Sequence, residues 1–453
     1  MQYYKPEGAR YVGDCMPFYH DGTFRLFYLL DEGHHTALGG LGGHQWAQAS
    51  TEDLVHWTHH PLAIPITEER EGSICTGSLF WHDGTYYAFY ATRMRDRTQH
   101  VSLATSQDGI HFFKTRPNPL ISPPRGYNPY HYRDPVVFRD TETNLCHMLV
   151  TALQDDYPVA GRGGCLAHLV SRDLANWEHR EPFLVPGFQD VPECPDYFSW
   201  NGWYYLLFSN GGVARYRMSR QPSGPWSRPR VDILDGGAAR VMKTAAFAGG
   251  RRMGVSWLGT RVEDKDGGAL QFGGNALFRE LVQHADGTLG TRFPPEMTPQ
   301  GTEVLAPAPT ALTAGAHGSA GSVRLNAPQG LEAAVLAGMP RNFRITAQVS
   351  GVSGTGVFGL RLRYAGDRAG SGYDVCLDPA EQTVRLHSQV LTRVEDLALP
   401  FRLDVVAMDS IIDLCIDNRR CLIDRCPEQH GDSLLFYAWN AAVRLDDLRV
   451  TAW

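Results

Sequence analysis

The feature that most constrains the fold of this chain is an internal repeat of roughly sixty residues in its first two thirds, a period found in propellers and arrays. One recurring unit places Asp-Gly or Asn-Gly between two aromatic runs, in residues 18–28, 80–90 and 198–208. These dipeptides are strong hairpin signals because both central residues of the turn need positive φ. Weaker copies begin at Phe138 and Phe247. Each copy predicts an antiparallel hairpin.

A second recurring unit is a polar turn followed by an aromatic residue, which we expect to cap an outer strand. It occurs at residues 50–57, 106–112 and 171–177, and in degenerate form at 222–226. Five copies of the first unit and four of the second indicate five sheets over residues 8–295. No helix-length stretch with 3.6 periodicity interrupts them. The pattern predicts a five-bladed β-propeller whose inner strands line a central funnel.

The composition changes after residue 295. Residues 301–322 are rich in Ala, Gly, Pro, Thr and Ser, which is typical of a linker. Short runs of alternating polarity then return, for example in residues 343–349, and six or more such strands predict a two-sheet sandwich. We therefore expect an all-β chain with a propeller over residues 1–300, a linker over 301–322 and a β-sandwich over 323–453.

Three carboxylates, Asp14, Asp134 and Glu193, stand in three separate repeats, each at the head of a strand-like run. If the repeats close into a ring, all three acids converge on one axial pocket. Two carboxylates flanking a scissile acetal, with a third holding the sugar, are the equipment of a glycosidase. Asp14 or Asp134 alone could equally serve a turn or a salt bridge. Their joint placement is what indicates a catalytic site.

The local sequence around each acid suggests a role. Glu193 lies in an apolar, Pro-rich stretch, which should raise its pKa and favour a general acid that then acts as base. Asp14 lies in a polar turn that should keep it ionised, as a nucleophile requires. Asp134 follows Arg133, whose charge should hold it ionised for bonding sugar hydroxyls and stabilising positive charge in the transition state.

Six segments resemble glycoside hydrolase family 32, the invertase, inulinase and levanase group, and one of them is residues 44–57, which resemble the family's segment after the first blade's inner strands. Residues 132–135 resemble the family's Arg-Asp-Pro motif, and residues 193–196 resemble its Glu-Cys motif, which is the most specific match. Asp14 lies where the family's nucleophile motif would fall. Residues 77–78 resemble a Ser-Gly-Ser element, and residues 278–281 resemble a late Pro-Arg-Glu-Leu element.

The resemblance implies a five-bladed propeller with a C-terminal β-sandwich and retention at the anomeric carbon. It also implies Asp14 as nucleophile, Asp134 as transition-state stabiliser and Glu193 as acid/base. The chain departs from the family around Asp14, where only the acid is kept, and at residues 29–31, where amides that normally grip the terminal fructose are lost. Substitutes for those amides are expected among Asp31, Gln45, Trp46 and Arg133, and Ser78 is a further candidate substrate-binding residue.

The composition of the chain argues against some classes of binding partner. A formal charge of −7 with 20% charged residues argues against nucleic acid or an anionic membrane surface, whereas a small neutral carbohydrate fits. The nine cysteines are scattered without metal-ligand spacing, so we expect neither a disulfide framework nor a metal, and no cofactor. No secretory signal or membrane-length apolar run is visible, which favours the cytoplasm, with secretion left open. The oligomeric state is left open as well.

The leading hypothesis is a retaining, exo-acting β-fructofuranosidase-like enzyme that cleaves fructosides such as sucrose or short fructans by double displacement, with transfer to a second sugar as a variant of the last step. Two alternatives stay open. One is a furanosidase of different specificity, arabinofuranosidase-like and inverting, and the other is a carbohydrate-binding propeller without catalysis. Product stereochemistry separates the two enzymes.

Overall fold

The computed structural model describes residues 2–159, 161–301, 303–305, 308–366 and 370–453. The chain divides into two compact units, the first comprising Met1–Ile233, Ala239–Gly259 and Gln271–Leu289, and the second comprising Leu234–Ala238, Thr260–Leu270 and Gly290–Trp453. Helix in the described residues is limited to one short α-helix and two 3₁₀ turns: α1 (Ala37–Gly40), Ala248–Gly250 and Val262–Asp264. None of these helices is long and apolar enough to cross a bilayer.

The N-terminal part forms five groups of consecutive antiparallel strands, which we call blades I to V, and single residue pairs join blade IV to blade V and blade V to blade I. Blade I holds β1 (Tyr11–His20), β2 (Thr23–Asp31), β3 (Gln45–Thr51) and β4 (Thr58–Ile64). Blade II holds β5 (Glu71–His82), β6 (Thr85–Met94), β7 (Gln99–Ser106) and β8 (Phe113–Lys114). Blade III holds β9 (Tyr127–Arg139), β10 (Cys146–Gln154), β11 (Gly164–Ser171) and β12 (Glu178–Leu184). Blade IV holds β13 (Glu193–Trp200), β14 (Trp203–Asn210) and β15 (Val213–Ser219). Blade V holds β16 (Ala239–Phe247), β17 (Arg251–Arg261), β18 (Leu270–Gln283) and β19 (Leu289–Arg292).

The five blades close into a ring. The first strand of each blade, β1, β5, β9, β13 and β16, contacts its neighbours in that order, and β16 returns to β1. The first residues of the chain bind to blade V through the backbone. The carbonyls of Gln2 and Tyr4 accept the backbone N–H groups of Phe278 and Ala276 at 3.2 and 2.8 Å. The predicted five-bladed β-propeller is confirmed.

All five inner strands carry a β-bulge at the same level of the ring, with two residues opposing one on the neighbouring strand. A bulge bends the strand and changes the direction of the side chains next to it. In blades III, IV and V the first bulged residue has positive φ, 57° for Asp134 and 52° for both Cys194 and Val241. The bulged pairs are residues 13–14, 75–76, 134–135, 194–195 and 241–242.

The second repeat unit forms the polar turn that the sequence predicts. In blade III, Asp173 Oδ1 accepts the backbone N–H groups of Ala175 and Asn176 at 3.0 and 2.8 Å. The aromatic residue then closes the turn, since Trp177 Nε1–H donates to the Leu174 carbonyl at 3.0 Å. Blades I and II repeat the carboxylate pattern through Asp53 and Asp108.

The second unit contains a two-layer sandwich. Its two longest strands bend at bulges and serve both layers: the first part of the earlier one, residues 343–349, pairs in one layer, and residues 358–362 pair in the other. The space between the layers is filled by buried apolar side chains such as Ile345, Leu403 and Phe436. The strands are β20 (Glu303–Leu305), β21 (Thr310–Ala311), β22 (Ala316–Ser319), β23 (Ser322–Asn326), β24 (Leu331–Leu336), β25 (Phe343–Tyr364), β26 (Tyr373–Asp378), β27 (Thr383–Leu386), β28 (Gln389–Leu391), β29 (Phe401–Met408), β30 (Ile411–Ile416), β31 (Arg420–Arg425) and β32 (Ser433–Ala452).

The segment predicted as a linker, residues 301–322, needs a correction. Its described residues include the short strands β20, β21 and β22, which pair with β32, β24 and β23. Small residues indicated a linker, yet the backbone pairing shows that this segment also forms short strands. The remaining domain bounds, 1–300 and 323–453, stay a prediction.

The pairing of β5 with β6 in blade II leaves no room for a side chain at Gly77. A Cβ at this position would lie 1.9 Å from the backbone oxygen of Phe89, which cannot move without breaking the pairing of β5 with β6. We expect Gly77→Ala to destabilise the protein by about 3 kcal/mol, the upper range for overpacking, and thermal unfolding measures this. Gly267→Ala is the control, because a Cβ there meets nothing within 4 Å. Equal melting temperatures for the two variants would contradict the predicted clash.

Candidate active site

The three carboxylates found in the sequence meet around Cys194, at the level of the bulges. The Cys194 Sγ lies 3.6 Å from Asp14 Oδ2 and 3.4 Å from Asp134 Oδ2. Its backbone N–H also donates to Asp134 Oδ2 at 3.1 Å. Glu193 is joined to the group by Arg133, whose Nη2 donates to Glu193 Oε1 at 2.8 Å. Acids from blades I, III and IV therefore share one site, as the ring predicts.

Asp14 is held at both carboxylate oxygens. Trp257 Nε1–H donates to Oδ1 at 2.8 Å, and the Thr76 hydroxyl donates to Oδ2 at 2.5 Å. The backbone beside it is tightly packed as well, because a Cβ on Gly13 would lie 2.8 Å from the ring of Phe272. Asp14 is 9% exposed. The side chain is thus fixed in one orientation by donors from blades II and V.

Asp134 is the most buried of the three acids, at 2% exposure. Its Oδ2 takes all the contacts from Cys194, together with Arg133 Nε at 3.6 Å, while Oδ1 accepts no hydrogen bond from the described residues. Burial raises the pKa of Asp134 to about 6; Arg133 opposes this shift, and the charges of Asp14 and Glu193 add to it. The sequence predicted an ionised Asp134 held by Arg133, but burial outweighs that pairing.

The raised pKa of Asp134 predicts that its ionised carboxylate lowers the stability of the folded protein at neutral pH. A folded-state pKa of about 6, against an ordinary value of 3.8, means that the ionised carboxylate costs stability above pH 6 and that the cost disappears below about pH 4. Asp134→Asn cannot ionise, so we expect it to be more stable than the parent at pH 7.5, by roughly 2–3 kcal/mol. The difference should vanish at pH 4 in thermal unfolding experiments.

Asp173 provides the opposite sign as a control. Hydrogen bonds from the backbone and side chain of Asn176 hold the pKa of Asp173 well below its ordinary range, so its ionised form stabilises the turn. Asp173→Asn should therefore melt below the parent at pH 7.5. A stability gain for Asp134→Asn that persists at pH 4 would show that ionisation is not its cause.

Glu193 does not lie in the apolar setting that its sequence neighbours suggest. Its side chain is 30% exposed and forms a salt bridge with Arg133, which is only 14% exposed. Burial opposes the charge of Arg133, but the carboxylates of Asp134 and Glu193 outweigh burial and raise the pKa of Arg133. The sequence neighbours of Glu193 predicted an apolar environment, but Arg133, sixty positions away in the chain, sets the environment of this side chain. Glu193 Oε2 accepts no hydrogen bond from the described residues, and so one oxygen is open.

Two of the predicted substrate-binding residues need correction, because neither has an accessible surface. Asp31 is 0% exposed, and its oxygens accept the backbone N–H groups of His34 and His35 and a bond from His44 Nε2 at 3.0 Å. Burial opposes its ionisation, but these hydrogen bonds lower the pKa of Asp31. Trp46 is also 0% exposed, and its Nε1–H donates to the Cys75 carbonyl at 2.8 Å.

The other candidates lie in different places. Arg133 belongs to the site itself. Ser78 is 8% exposed and its hydroxyl accepts the Val137 N–H at 3.3 Å, which ties blade II to blade III. Gln45 is half-buried and its Oε1 accepts the Ile66 N–H at 3.0 Å. A sugar contact of Ser78 or Gln45 stays a prediction.

The histidines in the segment between β2 and β3 of blade I pack against each other and are not arranged as metal ligands. His35 Nε2 lies 2.8 Å from Arg93 Nη1, and burial, with His44 and Arg93 nearby, lowers the pKa of His35 to about 4. His44 stacks on Phe272 with ring centroids 4.9 Å apart. Among the described residues, no group of three or more His, Cys, Asp or Glu side chains could hold a metal ion.

Comparison with known proteins decides the family. The sequence model described as "Glycosyl hydrolases family 32 N-terminal domain" matches residues 15–266, more than half of the chain. This chain belongs to glycosyl hydrolase family 32. The match begins one residue after Asp14, which agrees with the departure of this segment from the family's nucleophile motif.

Curated relatives match over about half of their own length. The chain is 28% identical over 251 residues to the sucrose-6-phosphate hydrolase of Escherichia coli, covering 50% of each protein. It is 26% identical over 225 residues to the levanbiose-producing levanase of Bacillus subtilis (strain 168), covering 48% of this chain and 39% of the levanase.

Solved structures of similar fold cover nearly the whole chain. Fructan 1-exohydrolase IIa from Cichorium intybus has a TM-score of 0.75 at 18% identity, covering 100% of this chain and 96% of the other. Exo-inulinase from Aspergillus awamori has a TM-score of 0.73 at 17% identity, covering 100% of this chain and 98% of the other. The propeller-plus-sandwich fold of this family 32 protein is thus found along the full chain.

Sequence reasoning missed several residues of this family 32 site. Thr76 and Trp257 donate to Asp14, and the Cys194 thiol contacts two acids. Lys243, buried at 3% exposure, donates to the Pro195 carbonyl. Thr76 directly precedes the Ser-Gly-Ser-like element, which was the available signal for it. Lys243 and Trp257 carried none, because their distance from the acids along the sequence hides the contact.

The donors to Asp14 give a prediction about rate. Removing one hydrogen bond to a charged carboxylate costs about 1.5–3 kcal/mol. We therefore expect Trp257→Phe and Thr76→Val each to lower kcat on a fructoside by roughly tenfold or more, measured by steady-state kinetics. Trp46→Phe is the matched control, since the indole of Trp46 bonds a carbonyl and not Asp14. A similar kcat loss in all three variants would point to general loosening of the propeller instead.

Proposed function

We propose that this chain is a retaining glycosidase that cleaves fructosides such as sucrose or short fructans. The observation that carries the proposal is the meeting of Asp14, Asp134 and Glu193, from three blades, around Cys194. The curated relatives bear the names of sucrose-6-phosphate hydrolase and levanase, which supports a fructoside as the substrate. The substrate stays a proposal because the matched region is about half of each relative.

In the first step, one oxygen of Asp14 attacks the anomeric carbon while the bond to the leaving oxygen breaks. Trp257 and Thr76 hold the carboxylate so that little reorganisation is needed at the moment of attack. Glu193 Oε2, which accepts no hydrogen bond from the described residues, donates a proton to the leaving oxygen. The product is a fructosyl ester on Asp14 and a free leaving sugar.

In the second step, Glu193 accepts a proton from water, and the water oxygen attacks the anomeric carbon and releases Asp14. Two inversions give overall retention. Asp134 presents its unbonded Oδ1 to the sugar and stabilises the positive charge that develops at the ring in both transition states. A sugar hydroxyl in place of water gives transfer of the fructosyl group.

The decisive experiment is NMR of the anomer formed first. We would incubate the protein with sucrose, inulin, levan and aryl furanosides and follow the anomeric signals before mutarotation. Retained configuration on a fructoside supports the proposal. Inverted product would favour the arabinofuranosidase-like alternative, and sugar binding without any cleavage across the panel would favour the non-catalytic one. A cytoplasmic location stays a prediction.

A further inference from the structure

His131 lies beside the acids of the site, two residues before Arg133 on strand β9. Both side chains are half-buried, whereas Tyr132 between them is fully buried, as expected when alternate residues of a strand share a face. A direct contact joins the two, since Arg133 Nη1 lies 3.3 Å from His131 Nδ1. The Nη2 of the same guanidinium donates to Glu193 Oε1 at 2.8 Å. Arg133 therefore bridges His131 and the acid assigned to protonate the leaving oxygen.

Strand β9 extends beyond the acids and carries His131 toward solvent. Glu193 is the first residue of β13, whereas β9 begins at Tyr127, six residues before Arg133. Tyr130, which precedes His131, is 52% exposed, so this part of β9 lies at the surface. The proposed mechanism places the fructosyl ring against the buried aspartates, which leaves the more exposed part of the site to the leaving sugar. His131 thus lies on the side of the leaving sugar.

The contact with Arg133 determines the tautomer of His131. A guanidinium has only donors, and so the Nδ1 that meets it is the unprotonated, accepting nitrogen of the ring. Burial lowers the pKa of His131, the charge of Arg133 lowers it further, and Asp190 opposes both. The imidazole is therefore neutral at pH 7, with its proton on Nε2.

The Nε2–H group of His131 is a donor without a partner among the described residues. Solvent reaches it, unlike the Nδ1 of His35, which is buried without a partner. Because Arg133 holds the other ring nitrogen, the direction of this donor is fixed. A small number of fixed polar groups is what orients a ligand in a pocket, and a sugar hydroxyl is a suitable acceptor for a neutral N–H donor.

We propose that His131 is a specificity-determining residue that donates its Nε2–H to a hydroxyl of the leaving sugar. This inference rests on the proposed fructosidase function. It adds a preference at the leaving-group side: a fructoside that releases a sugar is favoured over one that releases a group without hydroxyls to accept this bond.

The test uses two variants that each keep one half of the chemistry of the imidazole. In His131→Asn the amide oxygen can replace Nδ1 as the acceptor for Arg133, but the distal donor is lost. In His131→Gln the amide nitrogen can replace the Nε2–H donor. We would measure kcat/KM for sucrose and for an aryl fructoside whose leaving group carries no sugar hydroxyl, because kcat/KM reports the steps up to cleavage of the glycosidic bond.

His131→Asn should lower kcat/KM for sucrose by roughly 3–10-fold, the effect of one neutral hydrogen bond, and change the aryl fructoside less than about twofold. His131→Gln should keep the ratio of the two substrates closer to that of the parent. His60→Asn is the matched control, since His60 is also half-buried but lies on the outer strand β4 beside the Ser50 hydroxyl, and neither substrate should respond. Equal losses on both substrates in His131→Asn, or no loss on sucrose, would overturn the inference.

Sucrose binding to Asp14→Asn gives a second readout that does not need turnover. By calorimetry, adding His131→Asn to this variant should weaken binding by roughly 3–10-fold, and unchanged binding would overturn the inference. If the parent cleaves no fructoside while sucrose binding still depends on His131, the proposed function fails and His131 stands as a sugar-binding residue. Absence of both cleavage and sucrose binding would overturn both proposals.

Discussion

Asp14→Asn is expected to abolish turnover of fructosides, with kcat reduced by roughly 10⁴–10⁶-fold, as for loss of the nucleophile in other enzymes that act through covalent intermediates. An amide nitrogen or oxygen cannot form the fructosyl ester, and so the first step has no nucleophile. The fold should survive, because the amide oxygen still accepts from Trp257 and the Thr76 hydroxyl can rotate toward the amide nitrogen. Stopped assays with long incubation and thermal unfolding measure the two effects.

Asp173→Asn serves as the matched control for this variant. It makes the same chemical change in the outer turn of blade III, where the carboxylate bonds only its own loop and the side chain of Ser171. Its kcat per folded molecule should equal that of the parent. If Asp14→Asn retained more than about one hundredth of the parent kcat, the assignment of Asp14 as nucleophile would be wrong.

The blades could be predicted because the hairpin turns that connect their strands depend on the local sequence. The hairpin turns at Asp21-Gly22, Asp83-Gly84 and Asn201-Gly202 all have positive φ at both residues, between 45° and 76°, as the dipeptides indicated. Only Gly, Asn and Asp reach this region at low cost. This signal does not depend on distant contacts. Its repetition along the chain was enough to predict the ring of blades.

The site was predicted in its acids but not in their surroundings. The bulges in all five inner strands have no reliable sequence signal, since Cys194 and Val241 take positive φ although neither residue type favours it. A bulge moves the following side chains to the other face of the sheet, which defeats an alternation argument. Trp46 and Asp31 had suitable chemistry for binding a sugar, yet the structure places both inside the protein.

The electrostatics of the site were the least predictable part, because they depend on pairs that are far apart in sequence. Arg133 adjoins Asp134 in the chain, but its hydrogen bond goes to Glu193, and Asp134 keeps a raised pKa through burial. Glu193, for which the sequence predicted an apolar environment, is more exposed than Asp134. Charge pairing between blades can be read only after the ring has closed.

Glu193→Gln is expected to lower kcat on sucrose by roughly 10³–10⁴-fold, because a sugar alkoxide is a poor leaving group without a proton donor. An aryl fructoside with an acidic phenol needs no proton to leave, so its first step should be much less affected. Deglycosylation still lacks its base in this variant. A burst of phenol equal to the enzyme concentration, followed by slow turnover, is therefore the expected time course.

Glu193→Ala separates the acid and base roles further, since removal of a side chain that is 30% exposed leaves room for a small anion beside the anomeric carbon. Added azide should restore turnover of the aryl fructoside and give a fructosyl azide of retained configuration. Both variants lose the charge of Glu193, but Gln keeps a side-chain oxygen that can accept from Arg133 Nη2 and Ala does not, so a lower melting temperature is expected for Glu193→Ala than for Glu193→Gln. Azide rescue that gave an inverted product would mean that no covalent intermediate forms on Asp14, and an undiminished rate on sucrose in either variant would remove Glu193 from the mechanism.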